Sequence, residues 1–198
     1  MKSSWPKFEV DEINIVKKII SSGKVNYWTG KYGKEFEKKF SKFAQVKYSL
    51  SISNGTHALE IALKSMSIKK GDHVIVSSKS FVASASSVLS VNAIPIFSDI
   101  DLNSQNITLN NIKDCVTKKT KAIILVHLAG MPCEMNDIIK YCKKKNIKVI
   151  EDCSQAHGAK YFNQSVGSFG DVGTWSFCND KIISTGGEGG MITTNSKR

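Results

Sequence analysis

A chain of 198 residues, 41% of them hydrophobic, is long enough to bury one sizeable core. Its 28 basic residues against 17 acidic ones give a net charge of +11, yet all but one, Arg198, are lysine, which argues against bidentate reading of phosphates or base edges in nucleic acid. No apolar stretch is long enough to cross a bilayer, no leader pattern begins at Met1, and five cysteines without a CxxC pair suit a reducing compartment and give no metal-ligand spacing, so a cytoplasmic protein with neither membrane nor metal is expected.

Residues 10–20 read as an amphipathic helix. SSGKVNYWTGKYG at 21–33 is a glycine-punctuated loop, with Tyr27, Trp28, Thr29 and Gly30 as dimer or substrate surface. A second helix over 34–43 places Phe36, Phe40 and Phe43 on one face, for the core. These form an N-terminal segment over 1–47, ahead of a larger domain over 48–198.

That domain opens with a short strand, an Asn-Gly-Thr turn, and helical spacing of Ala58, Leu59, Ala62, Leu63 and Met66. Strands follow over 72–76, 94–97, 122–126 and 148–150, with helices near 110–115 and 138–145 and a closing pair, 174–177 and 190–193, that returns antiparallel. Strands alternating with helices predict an α/β fold with a mostly parallel sheet and right-handed crossovers. The lysine runs 118–119 and 143–145 read as solvated element ends.

Five features carry chemistry. Lys181 lies five residues after Ser176 and just before GGEGG. A lysine there suits an aldehyde cofactor, pyridoxal phosphate, because joining an aldehyde makes its nitrogen less basic and lets the freed amine shuttle protons. In so lysine-rich a chain a solvated surface residue is the plain alternative. Asp152 ends a strand, where ligands bind in open α/β sheets, and a carboxylate facing a pyridine nitrogen keeps that ring an electron sink. A turn or helix cap is the commoner job for such an aspartate. Gln155 can reach the ring's phenolic oxygen. The N–H groups of Gly55 and Thr56 open a helix and favour a phosphate, with hydroxyls from Thr56 and Ser176, although an isolated Asn-Gly-Thr is usually only a cap. Phe81 opens a helix of small residues and suits stacking on a ring, or simply the core. Cys153, beside Asp152, reads as a small buried hydrophobe.

The ordered set SNGTHAL, SKSFVASAS, EDCSQAHGA, WSFCNDK and GGEGG resembles the DegT/StrS type of pyridoxal-phosphate-dependent sugar aminotransferases. The resemblance implies the large domain of fold type I, without its C-terminal small domain. It makes Lys181 the Schiff-base lysine, Asp152 the partner of the pyridine nitrogen and Gln155 the neighbour of the ring oxygen. Phe81 becomes the stacking aromatic, and Gly55, Thr56 and Ser176 the phosphate ligands. It also implies a homodimer that takes glutamate as amino donor and a nucleotide-linked 4-keto-6-deoxy sugar as acceptor; a basic surface suits steering of such an anion. Lysine at 181, where some relatives carry histidine and dehydrate sugars, favours transamination. Cys178 stands where many relatives have histidine, and members of the family are longer than this chain. A truncated, non-catalytic remnant with uncovered strand edges is therefore the competing expectation. A nicotinamide enzyme is weaker still, because GSFGDVG at 167–173 lacks the context of a dinucleotide fingerprint.

Overall fold

The computed structural model describes residues 5–197; Met1 and Arg198 fall outside them. Helices α1 (Val10–Ser21) and α2 (Tyr32–Phe43) precede β1 (Tyr48–Ile52), α3 (Gly55–Ser65), β2 (His73–Ser77), α4 (Ala83–Ser90) and β3 (Ile94–Ser98). Then come α5 (Leu109–Cys115), β4 (Thr120–Val126), α6 (Met135–Lys145), β5 (Lys148–Asp152), a small hairpin of β6 (Lys160–Tyr161) and β7 (Gln164–Ser165), and the strands β8 (Val172–Ser176) and β9 (Gly190–Thr194).

Seven strands form one sheet in the order β1-β9-β8-β5-β4-β2-β3. The contacts joining β8, β5, β4, β2 and β3 are all parallel, and β9 runs antiparallel to both β8 and β1. The expected α/β fold and the antiparallel closing pair are both present. Strand β4 is apolar without a break from Ala122 to Val126 because both faces are covered there: Ala122, Ile124 and Val126 enter the core under α3 and α4, while Ile123 and Leu125 enter the one under α5 and α6. A strand covered on both faces loses the alternation of a half-exposed one.

A third cluster sits where α2 packs, with Phe40 edge-on to Trp175 and Phe177. The three phenylalanines of α2 do not share one fate. Phe40 is buried and Phe36 partly so, but Phe43 is 43% exposed although its ring leans on Phe40. One helical stripe is wider than the contact available to it. The amphipathic helix α1 forms as expected, closed by a Glu9/Glu12 capping box, yet buries none of its residues among the described residues. The lysine runs stand at element ends, Lys143, Lys144 and Lys145 in the last turn of α6, where cations complement the helix dipole.

Candidate active site

Parallel strands deliver their C-terminal ends to one edge of the sheet, and the chemistry gathers there. A cavity of about 610 Å³ is lined by Gly55, Thr56, Phe81, Asp152, Gln155, Ser176 and Lys181, all seven of the residues singled out in the sequence. A larger groove of about 850 Å³ lies elsewhere, beside Tyr48, Leu50 and Ile61. It holds none of the seven.

The N-terminus of α3 forms one end of the cavity. The Asn54 carboxamide accepts the His57 N–H at 2.9 Å and its carbonyl takes the Ala58 N–H at 3.1 Å, which leaves Gly55 and Thr56 as the open donors of the first turn. Residue 55 must be glycine, because a Cβ there would stand 2.8 Å from the Cβ of Ser176. This contact seats the helix end directly on the end of β8.

Asp152 closes β5 and is 6% exposed. Its Oδ1 accepts the Ser154 N–H at 3.1 Å, and its Oδ2 accepts the Ser84 hydroxyl at 3.3 Å. Ser84 lies 2.6 Å from the Ser80 hydroxyl, so a chain of hydroxyls runs from the cavity rim to the carboxylate. Sequence reasoning passed over Ser84; the signal available was its place in SKSFVASAS, three residues after Phe81. Gln155 turns its Oε1 to the Ala129 N–H at 2.8 Å.

Lys181 sits in the turn after β8. Its N–H bonds to the Cys178 carbonyl, and its Nζ lies 3.0 Å from Asp180 Oδ2. The ammonium beside it holds the Asp180 carboxyl below its usual range. Behind the lysine, His157 is packed between Trp175 and Phe177. Burial, with the Lys181 charge, pushes this imidazole down to about 4, so it is neutral at pH 7. Phe81 precedes α4 instead of opening it and is 68% exposed at the rim. The core alternative for Phe81 is thereby excluded.

Beneath the cavity floor lies a fully buried group, His127, Glu151 and Cys153, whose donor atoms lie within 4.8 Å of one another. Metal-ligand spacing was absent from the sequence because β4 and β5 bring these residues together. The lone pairs of the carboxylate and of the imidazole are already used. Glu151 accepts the N–H groups of Gly167, Phe169 and Gly170 at 2.8, 2.8 and 2.7 Å, and His127 Nε2 at 3.0 Å. His127 Nδ1 accepts the Cys133 N–H at 3.1 Å, so its single proton rests on Nε2 and faces the carboxylate. Burial pushes the Cys153 thiol up to about 12, which leaves it inert, as a small buried hydrophobe should be. The GSFGDVG segment is the loop that wraps Glu151. At Gly167, with φ +80°, a Cβ would meet Trp175 at 2.5 Å.

No helix among the described residues is long and apolar enough to cross a membrane. Among known proteins, the chain is 45% identical over 168 residues to the GDP-perosamine synthase of Escherichia coli O157:H7, a match covering 85% of this chain and 46% of that protein. It superposes on the aminotransferase from Psychrobacter cryohalolentis with a TM-score of 0.97 at 50% identity, covering 98% of this chain and 49% of the other. The PLP form of a putative sugar aminotransferase, Spr1654, from Streptococcus pneumoniae gives 0.91 at 29% identity, covering 100% and 53%. The chain thus spans about half the length of the curated relatives it matches. The family model for DegT/DnrJ/EryC1/StrS aminotransferases matches residues 6–198, and the chain therefore belongs to the DegT/DnrJ/EryC1/StrS aminotransferase family.

Proposed function

We propose that this chain is the cofactor-holding part of a pyridoxal-phosphate-dependent aminotransferase that moves an amino group from glutamate to the keto group of a nucleotide-linked 4-keto-6-deoxy sugar. The observation that carries the reading is the meeting of Lys181, Asp152, Ser176 and the α3 N-terminus in one cavity of about 610 Å³. The donor set fits the cofactor: open N–H groups for a phosphate, a fixed carboxylate for a pyridine nitrogen, and an amine for an aldehyde. When bound, pyridoxal phosphate supplies an aldehyde that accepts the amino group and a ring that draws electrons away from the reacting carbon.

The protein's own groups do the rest. The N–H groups of Gly55 and Thr56, with the Thr56 and Ser176 hydroxyls, hold the phosphate where the helix dipole favours negative charge. Asp152, steadied by Ser84 and Ser154, keeps the proton on the ring nitrogen. Gln155 would hold the ring oxygen and Phe81 would stack on the ring, as both line the cavity. Lys181 would hold the cofactor at rest and, once freed, its Nζ would take up and return the proton at the reacting carbon. Its present partner, Asp180, lies on the surface and releases it at little cost. The nucleotide-sugar acceptor rests on the family resemblance and on the E. coli relative's name; a cytoplasmic homodimer rests on the resemblance alone.

Full-length protein carrying Lys181→Ala tests this reading. We expect no borohydride-stable bond between cofactor and protein, and turnover lower by about 10²–10⁴-fold, the usual value of a positioned proton carrier. A variant that still trapped the cofactor on the chain and turned over normally would overturn the assignment.

A further inference from the structure

Between β4 and α6 the chain makes a tight loop over residues 127–133, and Ala129 within it has φ 50° and ψ 27°. L side chains seldom adopt this left-handed conformation, so surrounding bonds must hold it. The bonds converge on His127. The His127 carbonyl accepts the Gly130 N–H at 3.3 Å, its ring Nδ1 accepts the Cys133 N–H at 3.1 Å, and its own N–H goes to the Asp152 carbonyl at 3.1 Å. The ring is anchored in turn by Nε2 to Glu151, itself gripped by three backbone N–H groups. On the cavity side, the same loop presents the Ala129 N–H to Gln155 Oε1 at 2.8 Å.

We propose that His127 is a positioning residue for Gln155, acting through the loop 127–133, so that the Gln155 carboxamide is oriented to present its NH₂ to its ligand. With Oε1 turned to the Ala129 N–H, the carboxamide is held in one orientation and its NH₂ is free to donate. A donor held in place suits an ionised oxygen on the ligand and disfavours a protonated one. The inference rests on the pyridoxal-phosphate reading of the cavity, in which that oxygen is the ring's phenolate.

Two substitutions at His127 separate its two bonds. In His127→Asn the side-chain oxygen reaches the place of Nδ1 and still accepts the Cys133 N–H, while the link to Glu151 is lost. In His127→Gln the amide reaches Glu151 but not Cys133. In full-length protein freed of cofactor, we expect amide exchange of residues 128–133 to stay within about threefold of wild type in H127N and to rise about tenfold in H127Q, as for the loss of one hydrogen bond. Dissociation of pyridoxal phosphate should follow the same order, with H127Q about tenfold weaker. Combined with Gln155→Ala, H127Q should add nothing, because both changes remove one pathway. An H127Q effect of equal size in the Q155A background would overturn the proposal, and so would loop exchange unchanged in H127Q. Should H127Q fail to fold, H127N decides, since its loop must stay protected and its cofactor affinity near that of wild type. If neither Q155A nor Lys181→Ala altered cofactor binding, the reading of the cavity itself would fall.

Discussion

Asp152 and Ser176, along the inner wall of the cavity, and Ser84 behind Asp152 are each less than a tenth exposed, whereas Phe81 on the outer wall is 68% exposed and Lys181 is paired with a surface carboxylate. Asp152 and Ser176 end strands β5 and β8, Ser84 lies in α4, and the seat of α3 and hydrogen bonds within the chain fix them. The outer groups sit on a helix end and a turn. The difference teaches that one wall is built by folding and the other is completed by what it binds. Inner-wall substitutions should therefore register as lost stability, and outer-wall substitutions as lost binding.

Glu151 gives the largest effect on the inner side. Glu151→Ala strands one buried and two half-buried N–H groups and the buried His127 proton, and a loss of about 3–5 kcal/mol is expected, as for breaking other buried charged networks. Denaturant unfolding of the variant measures it; a loss under about 1 kcal/mol would show that the loop 167–170 does not depend on this carboxylate.

His157 should come next, and only in acid. Its folded value of about 4 lies below the ordinary 6.5, so the folded chain excludes a proton that the unfolded chain accepts. Stability is then independent of this group above pH 6.5, falls as pH drops from 6.5 to about 4, and levels off below. The full loss is up to ~3 kcal/mol. His157→Phe keeps a ring against Trp175 and Phe177 and should flatten that limb. A variant with the same acid dependence as wild type would assign the limb to other groups.

The smallest expected effect is at Phe81. Phe81→Ala should leave stability within about 0.5 kcal/mol, as exposed substitutions do, while weakening the cofactor by roughly 0.5–1.5 kcal/mol, the value of one aromatic contact. Calorimetry of both quantities sharpens the contrast between the walls. A loss of stability without a loss of binding would reverse it.

Much was legible before any coordinates. The helical period of the apolar residues predicts α3, and short unbroken apolar runs predict β4 and β5, to within a few residues, since a helix that buries one face must repeat it and a strand buried on both faces needs no polar alternate. The relation of Ser176 to Lys181, and the motif around Asp152, were visible because each lies within a single local segment. Phe43 departs from the expected core for the converse reason: it lies on the apolar stripe of α2, but how far the neighbouring surface extends is not a local property. Helix α1 makes the same point, with an apolar face that buries none of its residues among the described residues.

Local sequence thus determined which residues would be helix, strand and turn, and which reactive types stood near which element ends, because backbone propensity, capping and periodicity act over a few residues. Only the tertiary structure decided that Gly55, Asp152 and Lys181 share a cavity, that Glu151 draws the 167–170 loop and His127 around one carboxylate, and that Gln155 is held by Ala129. Those contacts join residues from 16 to well over 100 positions apart. They exist because the parallel sheet brings its strand ends to one edge, and a buried polar group takes whichever partner the fold delivers there.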